Sequence, residues 1–190
     1  GLKTWISDAK EADFIVAVVR TAEGSLGHEG LSILLIPKGT KGVSFSFLPK
    51  VGNNALPSFE VVFDNAEVPL DSLMGEEGRG FSHLMSTLHY ARAGMASATT
   101  GAAQRAVDLT LSHVKDRKQF GQPIGKFQVI QHKLADMQMR VDQSRMMAWH
   151  LAWLIREGLP SRRNAAQAKV IATEALQFVT RQGMQMLAST

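Results

Sequence analysis

The chain has no cysteine among its 190 residues. That removes disulfides, thiolate metal sites and a cysteine nucleophile together, and it is compatible with a reducing compartment. Long apolar runs are missing too. No stretch approaches the roughly 20 residues of a membrane span, and the N-terminus lacks the pattern of a secretory signal. Basic residues outnumber acidic ones 21 to 17, for a net charge of +4. The lysines and arginines are scattered, with no basic run interleaved with aromatics, so nucleic-acid binding is not expected. The six histidines, at 28, 83, 89, 113, 132 and 150, include no i, i+4 pair, so no metal site is expected. There is no repeat, no low-complexity tract and no initiator methionine. Gly1 leads straight into strand-like sequence, which reads as a piece of a longer protein.

What is present is ordinary for a folded chain: 45% hydrophobic and 20% charged residues, in a length that suits one domain or two small ones. Two textures meet near Gly75 to Gly80. Before the join, Thr4–Ser7, Phe14–Val19, Leu31–Ile36, Val43–Phe47 and Phe59–Phe63 are rich in β-branched and aromatic residues and separated by Gly, Pro and Asn. Five or six strands without intervening helices predict an antiparallel sheet or small barrel. After it, three-four spacing of Phe81, Leu84, Met85, Leu88, Met95, Ala98, Ala102, Ala106 and Leu109 predicts a long helix ending near Val114. Phe127 to Ile155 reads as a second. Gly158 to Pro160 stops it, Ser161 is a candidate N-cap, and Ala165 to Leu187 reads as a third. The fold class expected is α+β, with a β-domain over 1–76 and an antiparallel up-and-down bundle over 77–190, three of four helices present. Most of the nine methionines are expected at core positions, and Glu174 in solvent. The Gly75, Gly78, Gly80 cluster has no surrounding βαβ unit and is read as a hinge, not a dinucleotide loop.

The segment Arg117 to Asp136, RKQFGQPIGKFQVIQHKLAD, carries the most chemistry. Arg117 offers a planar fork of donors that matches phosphate oxygens. Phe120 offers a stacking face, Gly121 and Pro123 a turn that presents both, and Gln128 an amide that can bond a ribose or an adenine edge. An exposed arginine beside a core phenylalanine in a plain loop is the bland alternative.

Several motifs in register resemble one family. Lys3-Thr4-Trp5-Ile6-Ser7-Asp8-Ala9 with Ala12-Asp13 resembles the flavin-side strand of acyl-CoA dehydrogenases, K-x-W-I-T-N-x-x-x-A-D. Gly75 to Phe81 resembles the turn into that family's first C-terminal helix. Arg117-x-x-Phe120-Gly121-x-Pro123-Ile124, with Phe127-Gln128, Gln131 and Leu134 to Met137, resembles its central signature. The resemblance runs through essentially the whole chain. It implies a middle β-domain followed by part of a helical bundle, FAD as cofactor, and a homodimer or homotetramer. It implies that Trp5, Ile6 and Ser7 lie at the isoalloxazine, with the hydroxyl of Ser7 (where Thr is commoner) near N5. Arg117, Phe120 and Gln128 would hold the adenosine-pyrophosphate half of a flavin carried mainly by a neighbouring subunit.

The implied reaction is α,β-dehydrogenation of an acyl-CoA thioester, with electron-transfer flavoprotein as acceptor. His89, Tyr90 and Arg92 match positions on the acyl-CoA side, although His89 stands where Asp is frequent. The catalytic base of most members lies in a loop beyond residue 190. A minority carry it where this chain has Ala91, so no catalytic residue is assigned here and the piece alone is expected to be inactive. The resemblance implies a cytoplasmic protein in a bacterium, or a mitochondrial matrix protein in a eukaryote. Two other readings stay open: a relative of the same fold acting on a non-CoA substrate (nitroalkane oxidase-like or flavin monooxygenase-like), and a non-catalytic helical assembly module.

Overall fold

The computed structural model describes residues 1–188 and falls into two compact units, Gly1–Met85 and a second from Ser86 onward. In the first, β1 (Leu2–Ser7), β2 (Phe14–Arg20), β3 (Leu31–Pro37), β4 (Val43–Leu48) and β5 (Ser58–Phe63) form where the β-branched and aromatic runs lie. A short β6 (Leu73–Met74) is added. They build two three-stranded antiparallel sheets, ordered β1-β5-β4 and β2-β3-β6, rather than one closed barrel. Alternation in β4 and β5 turns Phe45, Phe59 and Val61 into the core with Ala9, Ile6, Ile15 and Phe63. There Phe45 and Phe47 meet the Phe59 ring edge-on, at 6.4 and 6.1 Å.

Buried Ser32 on β3 explains the glycine cluster. Its hydroxyl bonds Thr21 Oγ1 at 2.7 Å and accepts from the Gly78 N–H at 2.9 Å. A Cβ on Gly80 would stand 2.7 to 2.9 Å from backbone atoms of Leu31 and Ser32. Within this unit the glycines therefore let one backbone lie directly on another.

In the second unit the helices are α1 (Gly80–Asp116, which starts at the end of the first unit), α2 (Gln128–Arg156) and α3 (Arg162–Leu187). Gly158, at φ 71°, ends α2 in the left-handed conformation that glycine adopts without penalty. Ser161 then caps α3, its hydroxyl accepting from the Asn164 N–H at 3.2 Å. Helices α2 and α3 run antiparallel: Met137 sits by Gly183, while Ala148 and Leu151 pack with Ala165, Ala168 and Ala172. All three of those alanines are fully buried, so α3 presents a smooth ridge to its neighbours.

The packing of α1 differs from the spacing read in the sequence. Its buried stripe is Ala96, Thr100, Ala103, Val107, Thr110 and Val114, whereas Met95, Ala98, Ala102 and Leu109 face outward. The threonines bury because each hydroxyl bonds a carbonyl one turn back, Thr100 to Ala96 and Thr110 to Ala106, both at 2.7 Å. Thr100 also bonds Ser144 of α2. Beside it the amides of Gln104 and Gln138 pair reciprocally, and Arg145 bridges Gln104 to Asp142.

The methionine expectation also fails, since Met74, Met95, Met139, Met146 and Met184 are exposed and only Met137 and Met186 are deeply buried. Met is unbranched and flexible, so helical spacing alone does not commit it to a core. Glu174 is exposed, as expected. Among the described residues no helix is long and apolar enough to cross a membrane.

Candidate functional site

The predicted site residues fall into three groups, one in the first unit and two in the second. On β1, pairing with β5 runs Leu2↔Val62 and Lys3↔Val61, then resumes at Ile6↔Phe59, so Thr4 and Trp5 together oppose Glu60 in a β-bulge. Trp5 takes φ 59° to make that bulge and leaves 58% of its surface in solvent. Ile6 packs on the Phe59–Val61 core and anchors the strand. Ser7 is exposed, and its hydroxyl makes no hydrogen bond among the described residues. A tryptophan is normally one of the largest stabilising groups in a small core. This one is held out of the core, in a backbone conformation costing about 1–2 kcal/mol for a residue with a Cβ.

The second group repeats that device. Lys118–Gln119 and Gln122–Pro123 form a tiny hairpin, β7 and β8, closed by Phe120 and Gly121 at φ 53° and 79°. Both central residues have positive φ, as a type I′ turn requires, and glycine or asparagine is the usual choice at the first of them. Phe120 fills that position with 91% of its surface exposed, its ring meeting Phe127 edge-on at 6.1 Å. Arg117 leaves the end of α1, its N–H bonded to the His113 carbonyl at 2.8 Å and its own carbonyl accepting from Ile124 at 2.8 Å.

That backbone frame is fixed while the guanidinium has no partner among the described residues. Arg117 lines a cavity of about 290 Å³ with His113, Gln119, Ile124 and the end of α3 at Met186 to Ala188. The sequence reading passed over His113 and Gln119. The signal for His113 was available in the four-residue step from 113 to 117 across the last turn of α1.

Gln128, exposed, is the first residue of α2. That helix has no side-chain cap and no acidic residue in its first turn, so its leading N–H groups and positive dipole end suit an anion. Arg117, Phe120 and Gln128 thus lie together around one hairpin and one helix start.

The third group sits on α1: Tyr90 is 65% exposed, Arg92 half-buried, and His89 half-buried with its Nε2 shielded from solvent and unpartnered. Ala91, between them, is exposed. No cluster of three or more potential metal ligands occurs among the described residues.

If Phe120 were a packing residue, its loss would cost about 3–5 kcal/mol. The exposed, left-handed geometry predicts otherwise. Phe120→Gly is expected to leave stability unchanged or raise it by up to about 1 kcal/mol, because relief of the positive φ offsets the added chain entropy of glycine. Urea denaturation measures this, and a drop of several kcal/mol would return the ring to a structural role.

Comparison with known proteins identifies the family. The family described as "Acyl-CoA dehydrogenase, middle domain" matches residues 1–66, and "Acyl-CoA dehydrogenase, C-terminal domain" matches residues 78–189. The chain belongs to the acyl-CoA dehydrogenase family. Short-chain specific acyl-CoA dehydrogenase from Bos taurus mitochondria is 38% identical over 188 residues, covering 98% of this chain and 45% of that protein. Among solved structures, one described as PigA with FAD and proline superposes with a TM-score of 0.96 at 28% identity, over 100% of this chain and 50% of that one. Another, described as an electron transferring flavoprotein of Acidaminococcus fermentans, gives 0.94 at 35% identity, over 100% and 50%. The chain therefore spans about half the length of the curated relatives it matches.

Proposed function

We propose that this chain supplies the flavin-side strand and the adenosine-side hairpin of an FAD-dependent acyl-CoA dehydrogenase. One observation carries the reading: the two large aromatics that the family resemblance assigns to the flavin, Trp5 and Phe120, are exposed and held at positive φ. Strain kept at an exposed aromatic fits a ligand surface better than a core. The residues present also suit the group chemically: an unpaired guanidinium for pyrophosphate, two ring faces for the ring systems, and a free hydroxyl for a ring nitrogen. The bound flavin would accept the β-hydrogen of the thioester as hydride when a carboxylate base removes the α-proton.

This chain's own residues bind and orient. Arg117 would hold phosphate oxygens, Phe120 would offer its ring to the adenine side, and Gln128 would bond a polar edge of the nucleoside. Trp5 would offer its ring to the isoalloxazine, with Ile6 fixing its strand in the core. Ser7 would supply a hydrogen-bond donor toward N5. On α1, His89 and Arg92 share one helix face toward the acyl-CoA, with Tyr90 beside them. Ala91 has no ionisable group, so the base belongs to residues other than these.

The same reading makes the assembly a homodimer or homotetramer with electron-transfer flavoprotein as acceptor. It also places the protein in the bacterial cytoplasm or the mitochondrial matrix. A domain boundary near 76 fits the start of α1 at Gly80; the last two residues of the 77–190 domain lie outside the described ones.

Acyl-CoA added to the whole protein carrying this chain is expected to bleach its oxidised flavin band. A yellow protein that no acyl-CoA bleaches would sink the proposal, and a protein that binds no FAD would favour the assembly-module reading. The similarity to the structure with FAD and proline favours one second reading, a non-CoA substrate on the same scaffold. Bleaching by an amine or a nitroalkane alone would select it.

A further inference from the structure

An open groove of about 450 Å³ runs between the last turns of α1, the turn at 123–126 and the first turns of α2. Its wall is apolar, built from Leu111 and Val114 on α1, Pro123 on the turn and Leu134 on α2. The floor is closed by a close approach: a Cβ on Gly125 would lie 3.0 Å from the Val114 carbonyl oxygen, so the turn rests on the helix backbone. Gln131 bonds that turn through its Nε2, to the Gly125 carbonyl at 3.1 Å, which leaves its amide oxygen free. Lys115 and Lys126 line the groove too, and no acidic residue does. Ion pairs among the described residues join Asp142 to Arg145 and Arg156 to Glu157, and neither lysine takes part in one. None of the lining residues is Arg117, Phe120 or Gln128.

We propose that this groove binds a small amphipathic anion, a carboxylate bearing an apolar tail. The wall matches the tail, in the size range of small-molecule sites. The head group is indicated by two compact point charges with no arginine fork, an arrangement that suits a single carboxylate better than a bidentately held phosphate. A neutral apolar ligand would gain nothing from the two exposed ammonium groups, and a cationic one would meet like charge.

Isothermal titration of dodecanoate, below its micelle concentration, into the whole protein tests the site, with and without FAD so that a failure of flavin binding leaves the result readable. Saturable binding is expected, with carbon-13 methyl shifts at Val114 and Leu134. The double variant Lys115→Glu/Lys126→Glu should weaken it at least about tenfold, as loss of a charge-assisted contact does. Arg117→Ala should leave it unchanged. Dodecyltrimethylammonium, the same tail with a positive head, should also bind at least about tenfold more weakly. Absence of saturable binding, as when another part of the protein or a peptide fills the groove, overturns the proposal. So does equal affinity of the double variant, or of the cationic tail.

Discussion

Arg117→Glu is expected to strip FAD from the protein without unfolding it. The side chain is exposed, and its guanidinium has no hydrogen bond or ion pair among the described residues, so a change there should cost the fold no more than about 0.5 kcal/mol. The cofactor would lose a charge-assisted contact of about 1.5–3 kcal/mol and gain a carboxylate facing its phosphates. Together these put the loss of affinity at more than about 100-fold. Arg117→Lys should fall between, since an ammonium keeps the charge but not the fork. Flavin absorbance per protein after dialysis gives the first quantity and the urea midpoint the second. Full flavin content in the glutamate variant would remove Arg117 from the site.

Gly42→Ala should be the most damaging small change in the first unit. Gly42 has φ 85°, and a Cβ there would lie 2.2 Å from the Asp64 carbonyl oxygen, far inside contact distance, on backbone that cannot swing away. The Asp64 N–H donates to the Gly42 carbonyl at 2.8 Å, so displacement also breaks the end of the β4–β5 ladder. The left-handed penalty and the overpacking sum to about 2–4 kcal/mol. Gly39, three residues earlier in the same turn, has the same φ of 85° but nothing within 4 Å of a Cβ. Gly39→Ala should therefore cost only about 1 kcal/mol, the conformational part alone. Amide exchange separates the two: in Gly42→Ala, β4 and β5 should exchange roughly 30- to 1,000-fold faster while α2 and α3 keep their protection. Equal effects of the two alanines would mean that close approach contributes nothing.

Both of those glycines were visible in the sequence only as turn punctuation, and the same limit governs the rest. Strand and helix positions were legible because β-branched runs and three-four spacing report the backbone period. Ser161 was legible because a capping hydroxyl acts within three residues of itself. The buried face of α1 was not. Thr100 and Thr110 count as polar in any pattern, yet they bury by bonding their own helix, while Met95, Ala98, Ala102 and Leu109 form a second small-apolar stripe that outweighs the true one. At the site, residue types and spacing pointed to Arg117, Phe120 and a turn at Gly121 and Pro123 that presents them, but not to its form as a two-residue hairpin. Turn chemistry calls for Asn-Gly or Gly there, and Phe-Gly violates it. That violation, together with the bulge at Trp5, sets these two aromatics apart from the core aromatics Phe45 and Phe59.

The alanine ridge of α3 fixes how the second unit can move. Ala165, Ala168, Ala172 and Ala175 have no rotamers to freeze, so docking this helix costs almost no side-chain entropy. They also have no rotamers to exchange, so any repacking of the pair falls to the α2 side chains Met147, Leu151 and Ile155. On the α3 side the spacing is set by backbone and methyl contact alone. The end of α3 lines the same cavity as Arg117. A single added methylene along the ridge would therefore reach that cavity wall unless those α2 side chains give way.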